Sequence, residues 1–167
     1  MRSQPHEAAP VRDNVDAAMT VMEAAFDPHW GEAWTRRQLC DSLLLPNTRM
    51  LLVDSGGVVG TDIRGLSDDI AGFALIRSAN VEQELLLIAI HPDFRGKGLG
   101  GRMLETFITD ARQSGADSVF LEMRYNNPAQ ALYKQHGFEP IGRREGYYRL
   151  TNGERIDAVT FARKIKD

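Results

Sequence analysis

Helical spacing and helix punctuation mark four stretches of the chain. Val15, Ala18, Met19, Met22 and Phe26 recur three or four positions apart, which predicts a helix over residues 14–26. After a turn at Phe26-Asp27-Pro28-His29-Trp30-Gly31, Thr35-Arg36-Arg37-Gln38 has the form of a capping box. It opens a second helix through about Leu45, and Pro46-Asn47 stops it. Leu99, Met103, Leu104, Phe107, Ile108 and Ala111 trace one face of a third helix, which Gly115 ends. Asn127-Pro128 supplies an N-cap and a first-turn proline for a short fourth helix, ended by Gly137.

Strand patterns lie between them. Met50–Val53, Ile70–Ile76, Leu85–Ile90 and Val119–Met123 are apolar runs bounded by turn residues, with Asn80 joining the second to the third. Phe138–Tyr148 and Asp157–Ile165 form two closing strands around a turn at Asn152-Gly153. Residues 55–69 stay open between an extended hairpin through Val58-Val59-Gly60 and a loop at Gly65–Asp69. The predicted order is helix, helix, three strands, helix, strand, helix, two strands. Residues 1–10, with Pro5 and Pro10, are expected to be a flexible tail, and residues 11–167 a single domain.

Composition narrows the class. The chain has 167 residues, 43% hydrophobic and 26% charged, enough for an ordinary core without staples. The lone Cys40 has no internal bridging partner, which fits a reducing compartment. No run approaches the ~18 apolar residues of a membrane span, and Met1–Glu7 lacks the apolar run of a secretory signal. A cytoplasmic protein with no membrane partner is the expectation. The net charge of -3 and pI near 5.8 argue against a nucleic-acid partner. The charge is uneven, with seven basic and thirteen acidic side chains in residues 1–90 against thirteen and ten in residues 91–167. This is either a solvated surface of uneven sign, or a basic half that holds an anionic ligand and acidic patches that meet a cationic one.

Ile88-Ala89-Ile90-His91-Pro92-Asp93-Phe94-Arg95-Gly96-Lys97-Gly98-Leu99-Gly100-Gly101 carries the strongest chemical signal. An apolar strand runs into a turn with four glycines and then into a long amphipathic helix. Glycines let backbone N–H groups approach a ligand, and the helix start adds partial positive charge, so the turn suits a phosphate or pyrophosphate. Arg95, Lys97 and Arg102 place cations beside it. Gly96, Gly98 and Gly101 also satisfy the G-x-G-x-x-G dinucleotide pattern, with Glu122 near the place of a ribose-binding acid. Against a dinucleotide-binding oxidoreductase, residues 91–95 separate the strand from the glycines. The chain after Glu122 is also too short for the second half of a doubly wound sheet. A P-loop fails because no Ser or Thr follows Lys97.

Read as Arg95-x-x-Gly98-x-Gly100, the turn resembles the pyrophosphate motif of the GNAT superfamily of acyl-CoA-dependent N-acetyltransferases. Within it, the chain resembles the RimI-type ribosomal-protein-alanine N-acetyltransferases. Glu84–Ile90, Leu121-Glu122-Met123-Arg124, Ala131-Leu132-Tyr133, Gly137-Phe138 and Tyr147-Tyr148 carry the resemblance in order and at matching spacing. It implies an α/β fold with a mixed, mainly antiparallel sheet flanked by helices. It also implies acetyl-CoA as co-substrate and no metal. Arg95, Gly96, Lys97, Gly98, Leu99, Gly100 and Gly101 would hold its pyrophosphate, and Ile88, Ala89 and Ile90 its pantetheine arm.

Strand parity puts Glu122 on the face opposite Val119, Leu121 and Met123, a carboxylate inside an apolar strand. By residue type alone it is equally a partner for Arg124 or another cation; the resemblance makes it the general base. Tyr133 shares a helix face with Ala129, Leu132 and His136, which by itself is a core position. The resemblance makes it the acid that protonates the departing thiolate. Asn127 is an N-cap and, by resemblance, a pantetheine contact. The chain is one residue shorter than the RimI pattern before Pro128, so Asn126 shares that claim. Tyr147, Tyr148 and Trp30 would line the acceptor side, with core packing as the other reading. The implied function is direct acetyl transfer to an amine, foremost the N-terminal α-amine of a ribosomal or other protein. A small-molecule amine and a non-catalytic acyl-CoA sensor are the alternatives.

Overall fold

Helix α1 (Asn14–Ala25) begins at a capping box. The Asp13 carboxylate accepts the Asp16 N–H at 2.7 Å, and the Asp16 carboxylate accepts the Asp13 N–H at 3.2 Å. Helix α2 (Arg36–Leu43) begins at the Thr35/Gln38 box read from the sequence and stops at Leu43 rather than Leu45. The computed structural model describes residues 12–166, so the expected tail over residues 1–10 lies outside the described residues.

The strands are β1 (Thr48–Asp54), β2 (Val59–Gly60), β3 (Ile70–Ala79), β4 (Glu82–Ile90), β5 (Ser118–Arg124), β6 (Glu139–Arg149) and β7 (Arg155–Lys164). Helix α3 (Leu99–Gln113) crosses over between β4 and β5, and α4 (Gln130–Gln135) connects β5 to β6. One sheet runs in the order β2-β1-β3-β4-β5-β7-β6. Its β4/β5 pair is parallel and its other pairs are antiparallel, which is the mixed sheet that was expected.

Strand β3 is buried at every residue from Ile70 to Ile76, because both faces of the sheet are covered. On one face, Ala17, Ala18, Val21 and Met22 of α1 and Leu39 of α2 pack on Leu52, Phe73, Leu75 and Leu87. On the other, Met103, Leu104, Phe107 and Ala111 of α3 pack on Leu51, Val53, Ala74 and Ile76. Adjacent strand residues point to opposite layers, as the pleat requires. Gly72 is fixed by crowding: a Cβ there would lie 2.5 Å from Ile90 Cδ1 and 2.7 Å from the Ala89 carbonyl oxygen.

Two stretches differ from expectation. Helix α4 starts at Gln130, not directly after Asn127. The Asn127 side chain accepts the Ala129 N–H at 2.9 Å, and this Asx turn takes up the residues that the cap would have made helical. Residues 55–69 hold the short strand β2, paired to β1, and a 3-10 turn at Ile63–Gly65. Asp54 organises them from beneath. Its buried carboxylate accepts the N–H groups of Gly56 at 3.0 Å, Val58 at 2.9 Å and Ser67 at 3.1 Å.

The Ser67 bond, then those of Val58 and Gly56, hold the Asp54 carboxyl below its ordinary value of 3.8. A depressed folded-state value contributes stability above 3.8 that is lost as pH falls through the folded value. Asp54→Ala should therefore cost ~1–3 kcal/mol at neutral pH, because it removes the shared acceptor of three part-buried N–H groups. In urea titrations repeated from neutral pH down through 3.8, the variant should also lose less stability than the parent. Equal stability at neutral pH would remove this carboxylate as the organiser of the segment.

Candidate active site

The sheet opens where β4 meets β5. Their parallel pairing runs from Glu82↔Ser118 to Leu85↔Leu121 and then stops. At that point β4 carries one extra residue, Leu86, against β3, since Leu75 pairs with Leu87 and Ile76 with Leu85. A bulge bends its strand and increases the local twist, so β4 turns away from β5 as it follows β3. His91 donates its N–H to Ala71 O at 2.7 Å. By ladder alternation Leu87 and Ala89 face β3 too, and Ile88 and Ile90 turn their peptide groups into the gap.

Beyond β4 comes the glycine turn. Gly96 and Gly98 have φ of +76° and +75°, a region side chains rarely adopt. Gly98 caps α3 without a side-chain hydrogen bond, and the first helical bond is from Arg102 N–H to Gly98 O at 3.1 Å. The N–H groups of Leu99, Gly100 and Gly101 thus have no helical partner and could hold an anion. The cations are less free than their sequence positions suggest. Arg95 lines the cavity, but it donates Nε to Ile90 O at 3.1 Å and Nη2 to Ala25 O at 3.1 Å. Arg102 reaches Gly57 O at 3.4 Å, and Lys97 stands 5.4 Å from the centre of the Phe94 ring.

Two chambers meet in the gap. One, about 440 Å³, is lined by Ile88, Ala89, Ile90, Arg95, Gly100 and Leu132, among others. The other, about 330 Å³, is lined by Glu84, Glu122, Trp34, Gln38, Tyr147 and Tyr148, among others. Phe26, Glu32, Ile88, Asn127 and Tyr133 border both and form the throat. Asn127 is therefore the cavity-lining asparagine, while Asn126 accepts from Arg124 Nη1 at 2.9 Å. Trp30, expected on the acceptor side, lines the other chamber, with the Arg124 guanidinium 3.9 Å from its ring centre. Trp34 lines the chamber that holds Glu122, Tyr147 and Tyr148.

Glu122 has found a different cation from its sequence neighbour. Arg144 of β6 forks its carboxylate, donating Nε to Oε2 at 2.8 Å and Nη2 to Oε1, and Thr160 Oγ1 approaches Oε2 at 3.4 Å. This bond holds Arg144 more firmly protonated than usual. The side chain of Arg144 is half exposed and stacks 3.7 Å from the Tyr147 ring centre. A bulge between Arg144 and Tyr148 opposite β7, with Gly146 at φ +56° and its N–H on Asp157 Oδ1 at 2.8 Å, presents this stretch to the chamber.

Tyr133 answers to both of its readings. Its ring is core, 5% exposed and edge-on to Phe138 at 6.0 Å, yet the residue lines both chambers. Burial, with Glu32 and Tyr148 adding, pushes its hydroxyl well above the ordinary tyrosine value. Tyr148 is pushed up to about 12, again by burial first and then by Glu122, Glu32 and Tyr147.

Sequence reasoning missed Glu32, Arg144 and the role of Arg124. Arg124 Nε lies 3.1 Å from Glu32 Oε1, and both side chains are largely buried. The pair is a charge contact and not an aligned hydrogen bond, since Arg124 Nε makes none. Burial raises the Glu32 carboxyl against the pull of Arg124. The sequence signal was faint, an acid between Trp30 and Trp34 in a loop. Among the described residues no cluster of three His, Cys, Asp or Glu could hold a metal, and no helix is long and apolar enough to cross a membrane.

Comparison with known proteins agrees with this geometry. The profile of the acetyltransferase (GNAT) family matches residues 15–138. The [ribosomal protein bS18]-alanine N-acetyltransferase of Haemophilus ducreyi is 30% identical over 121 residues, covering 71% of this chain and 83% of that protein. The enzyme of that name from Haemophilus influenzae is 34% identical over 96 residues, 58% of this chain and 66% of its own length, just under two thirds. The crystal structure of the Escherichia coli ribosomal-protein-S18-alanine N-acetyltransferase superposes with a TM-score of 0.76 at 26% identity, over 92% of this chain and 89% of that one. Ard1 from Thermoplasma volcanium shares the fold, with a TM-score of 0.70 at 20% identity over 92% of each chain. The splayed β4/β5 pair, the uncapped glycine turn and these likenesses converge: the chain belongs to the acetyltransferase (GNAT) family.

Proposed function

We propose that this protein transfers the acetyl group of acetyl-CoA to the α-amine of a polypeptide N-terminus, with ribosomal-protein termini as the leading acceptor class. The observation that carries this reading is the throat. It joins a chamber that ends at an uncapped helix start to a chamber lined by a carboxylate and tyrosines. Acetyl-CoA, when bound, supplies an activated acyl group. The N–H groups of Leu99, Gly100 and Gly101 would take its pyrophosphate, and the free peptide groups of Ile88 and the N–H of Ile90 its pantetheine arm and thioester carbonyl. Arg95 braces the end of β4 through Nε and Nη2 and would turn its remaining Nη1 donors to the phosphate side.

An ammonium must lose a proton before it can attack. At neutral pH that costs about 1 kcal/mol for an α-amine and about 4.6 kcal/mol for lysine, which favours the α-amine. Both oxygens of Glu122 are held by Arg144, so Glu122 takes this proton through a water in the acceptor chamber. The amine then forms the amide bond, the C–S bond breaks, and Tyr133 protonates the thiolate. Burial makes this hydroxyl a weaker acid than a free tyrosine, so it is uncharged before the transfer and must regain a proton within the turnover. The names of the relatives supply the acceptor class, and the aromatic wall of Trp34, Tyr147 and Tyr148 suits a peptide.

Mass spectrometry of a peptide panel after incubation with acetyl-CoA tests the reading. Acetylation of free N-termini, and none of the same peptides with blocked termini, is the expected result. Acetylation of small amines alone would replace it with the small-molecule reading, and acetyl-CoA binding without thiol release with a sensor.

Three variants test the parts. Gly100 needs no positive φ and its Cβ would meet Leu132 at 3.4 Å, an ordinary contact. Gly100→Asp should keep the melting temperature and weaken acetyl-CoA binding roughly tenfold or more, by placing a carboxylate in the anion cradle; unchanged calorimetric affinity would overturn the cradle. Glu122→Gln should lower kcat by roughly 10²–10⁴-fold at neutral pH, the deficit shrinking as the amine deprotonates by itself. A variant as fast as its parent would leave Glu122 a structural ion pair. Tyr133→Phe keeps the ring packing, so it should lower kcat with near-normal melting temperature and acetyl-CoA affinity. If it were destabilised but fully active, Tyr133 would not be the acid.

A further inference from the structure

The throat contains a carboxylate that the reaction as described leaves unused. Glu32 borders both chambers, whereas Glu122 borders only the acceptor chamber. The two carboxylates differ in what is left for a ligand. Glu122 has both oxygens engaged by Arg144 and a further approach from Thr160. Glu84, also in the acceptor chamber, is paired with Arg77 at 2.5 Å. Glu32 has one charged neighbour, Arg124, whose Nε is close to Oε1 but not aligned for a hydrogen bond. Oε1 has only this off-line Nε of Arg124, and Oε2 has no donor among the described residues. Arg124 cannot swing round to mend this. Its Nη1 is bonded to Asn126, and its guanidinium is stacked on Trp30.

A largely buried carboxylate with its acceptor capacity unspent is costly unless a donor arrives. The other groups facing it are the hydroxyls of Tyr133 and Tyr148, and neither bonds to it. The missing partner must reach the throat from the acceptor side and bring donors and positive charge.

We propose that Glu32 is the acceptor-binding residue of the throat, holding the substrate's terminal ammonium beside the Ile88 backbone until its proton is removed. An ammonium has three donors, enough to meet the free Glu32 oxygens while one N–H faces the water that serves Glu122. The role rests on the acetyl-transfer reading and divides the two acids: Glu32 seats the amine, and Glu122 receives the proton.

The test is a binding cycle. A peptide with N-terminal alanine, and the same peptide with its α-amine replaced by hydrogen, are titrated by calorimetry into the parent and into Glu32→Gln, each with CoA bound. The parent should prefer the amine-bearing peptide by roughly 10- to 100-fold, the scale of a hydrogen bond to a charged group. Glu32→Gln, saturated with CoA, should bind both peptides alike. Equal preference in parent and variant would overturn the assignment, because a merely structural Glu32 changes affinity for both peptides together. If Glu32→Gln fails to fold, with Arg124 left buried and unpaired, Glu32→Asp keeps the charge and withdraws it by one methylene. It should then lose most of the preference, and full retention would overturn the role. A parent that acetylates no peptide fails the acetyl-transfer reading, and this inference with it. A parent that acetylates peptides, with a variant of undiminished preference, fails the inference alone.

Discussion

The backbone of β4 past Leu85 has lost its neighbour on one side, and the rest of the site follows from that loss. A strand inside a sheet must give its N–H and C=O groups to something. Here the bulge at Leu86 ends the pairing with β5, and Gly72 lets β3 press against Ala89 and Ile90 so that β4 follows β3. One stranded carbonyl, that of Ile90, is taken by Arg95, which also grips the end of α1. That fixes the width of the opening from the side. The remaining groups face a cavity in the middle of a sheet, where no side chain competes for them. Backbone donors held by strand geometry do not have to be reorganised when a ligand arrives.

The charges in the cleft are distributed by burial. Three carboxylates line the chamber walled by Trp34, Tyr147 and Tyr148, and each has an arginine, but the pairs are unlike. Arg77–Glu84 and Arg144–Glu122 have half-exposed arginines, so solvent screens them and their worth to stability is small. Glu32–Arg124 is largely buried on both sides, and a buried pair seldom repays its desolvation. Such a pair is poorly explained as a fold stabiliser. Its place between the chambers gives it another reason to exist. Of the three pairs, this one alone joins the acidic first half of the chain to the basic second half.

Much of the frame was legible because it is written locally. The Thr35–Gln38 box, the glycine turn into α3 and the apolar run of β3 are patterns a few residues long, and each fell where it was read. What escaped was long-range. Asp54 organises residues 55–69 by collecting N–H groups up to Ser67, which no spacing rule announces. Arg144 reaches Glu122 only because β6 and β5 flank β7 and a bulge redirects the edge strand. The neighbour on the same strand, Arg124, looked the better partner for Glu122, but the helix–loop segment before α2 had already supplied Glu32. Trp30 changed chambers for the same reason, since its ring follows Arg124.

Tyr133 shows why core and site were hard to separate from residue type. Its spacing with Ala129, Leu132 and His136 describes a buried face, and the ring is buried, edge-on to Phe138. The same helix, however, leaves an Asx turn at the mouth of the gap, so its inward face ends at the throat and not against another layer. A phenol there is packed by its ring and presents its oxygen to the cavity. Packing removes the water that would stabilise a tyrosinate, which makes this hydroxyl a weaker acid than a free tyrosine. Pattern alone gives the buried ring; the acid role proposed for the hydroxyl comes from the resemblance and from its place at the throat.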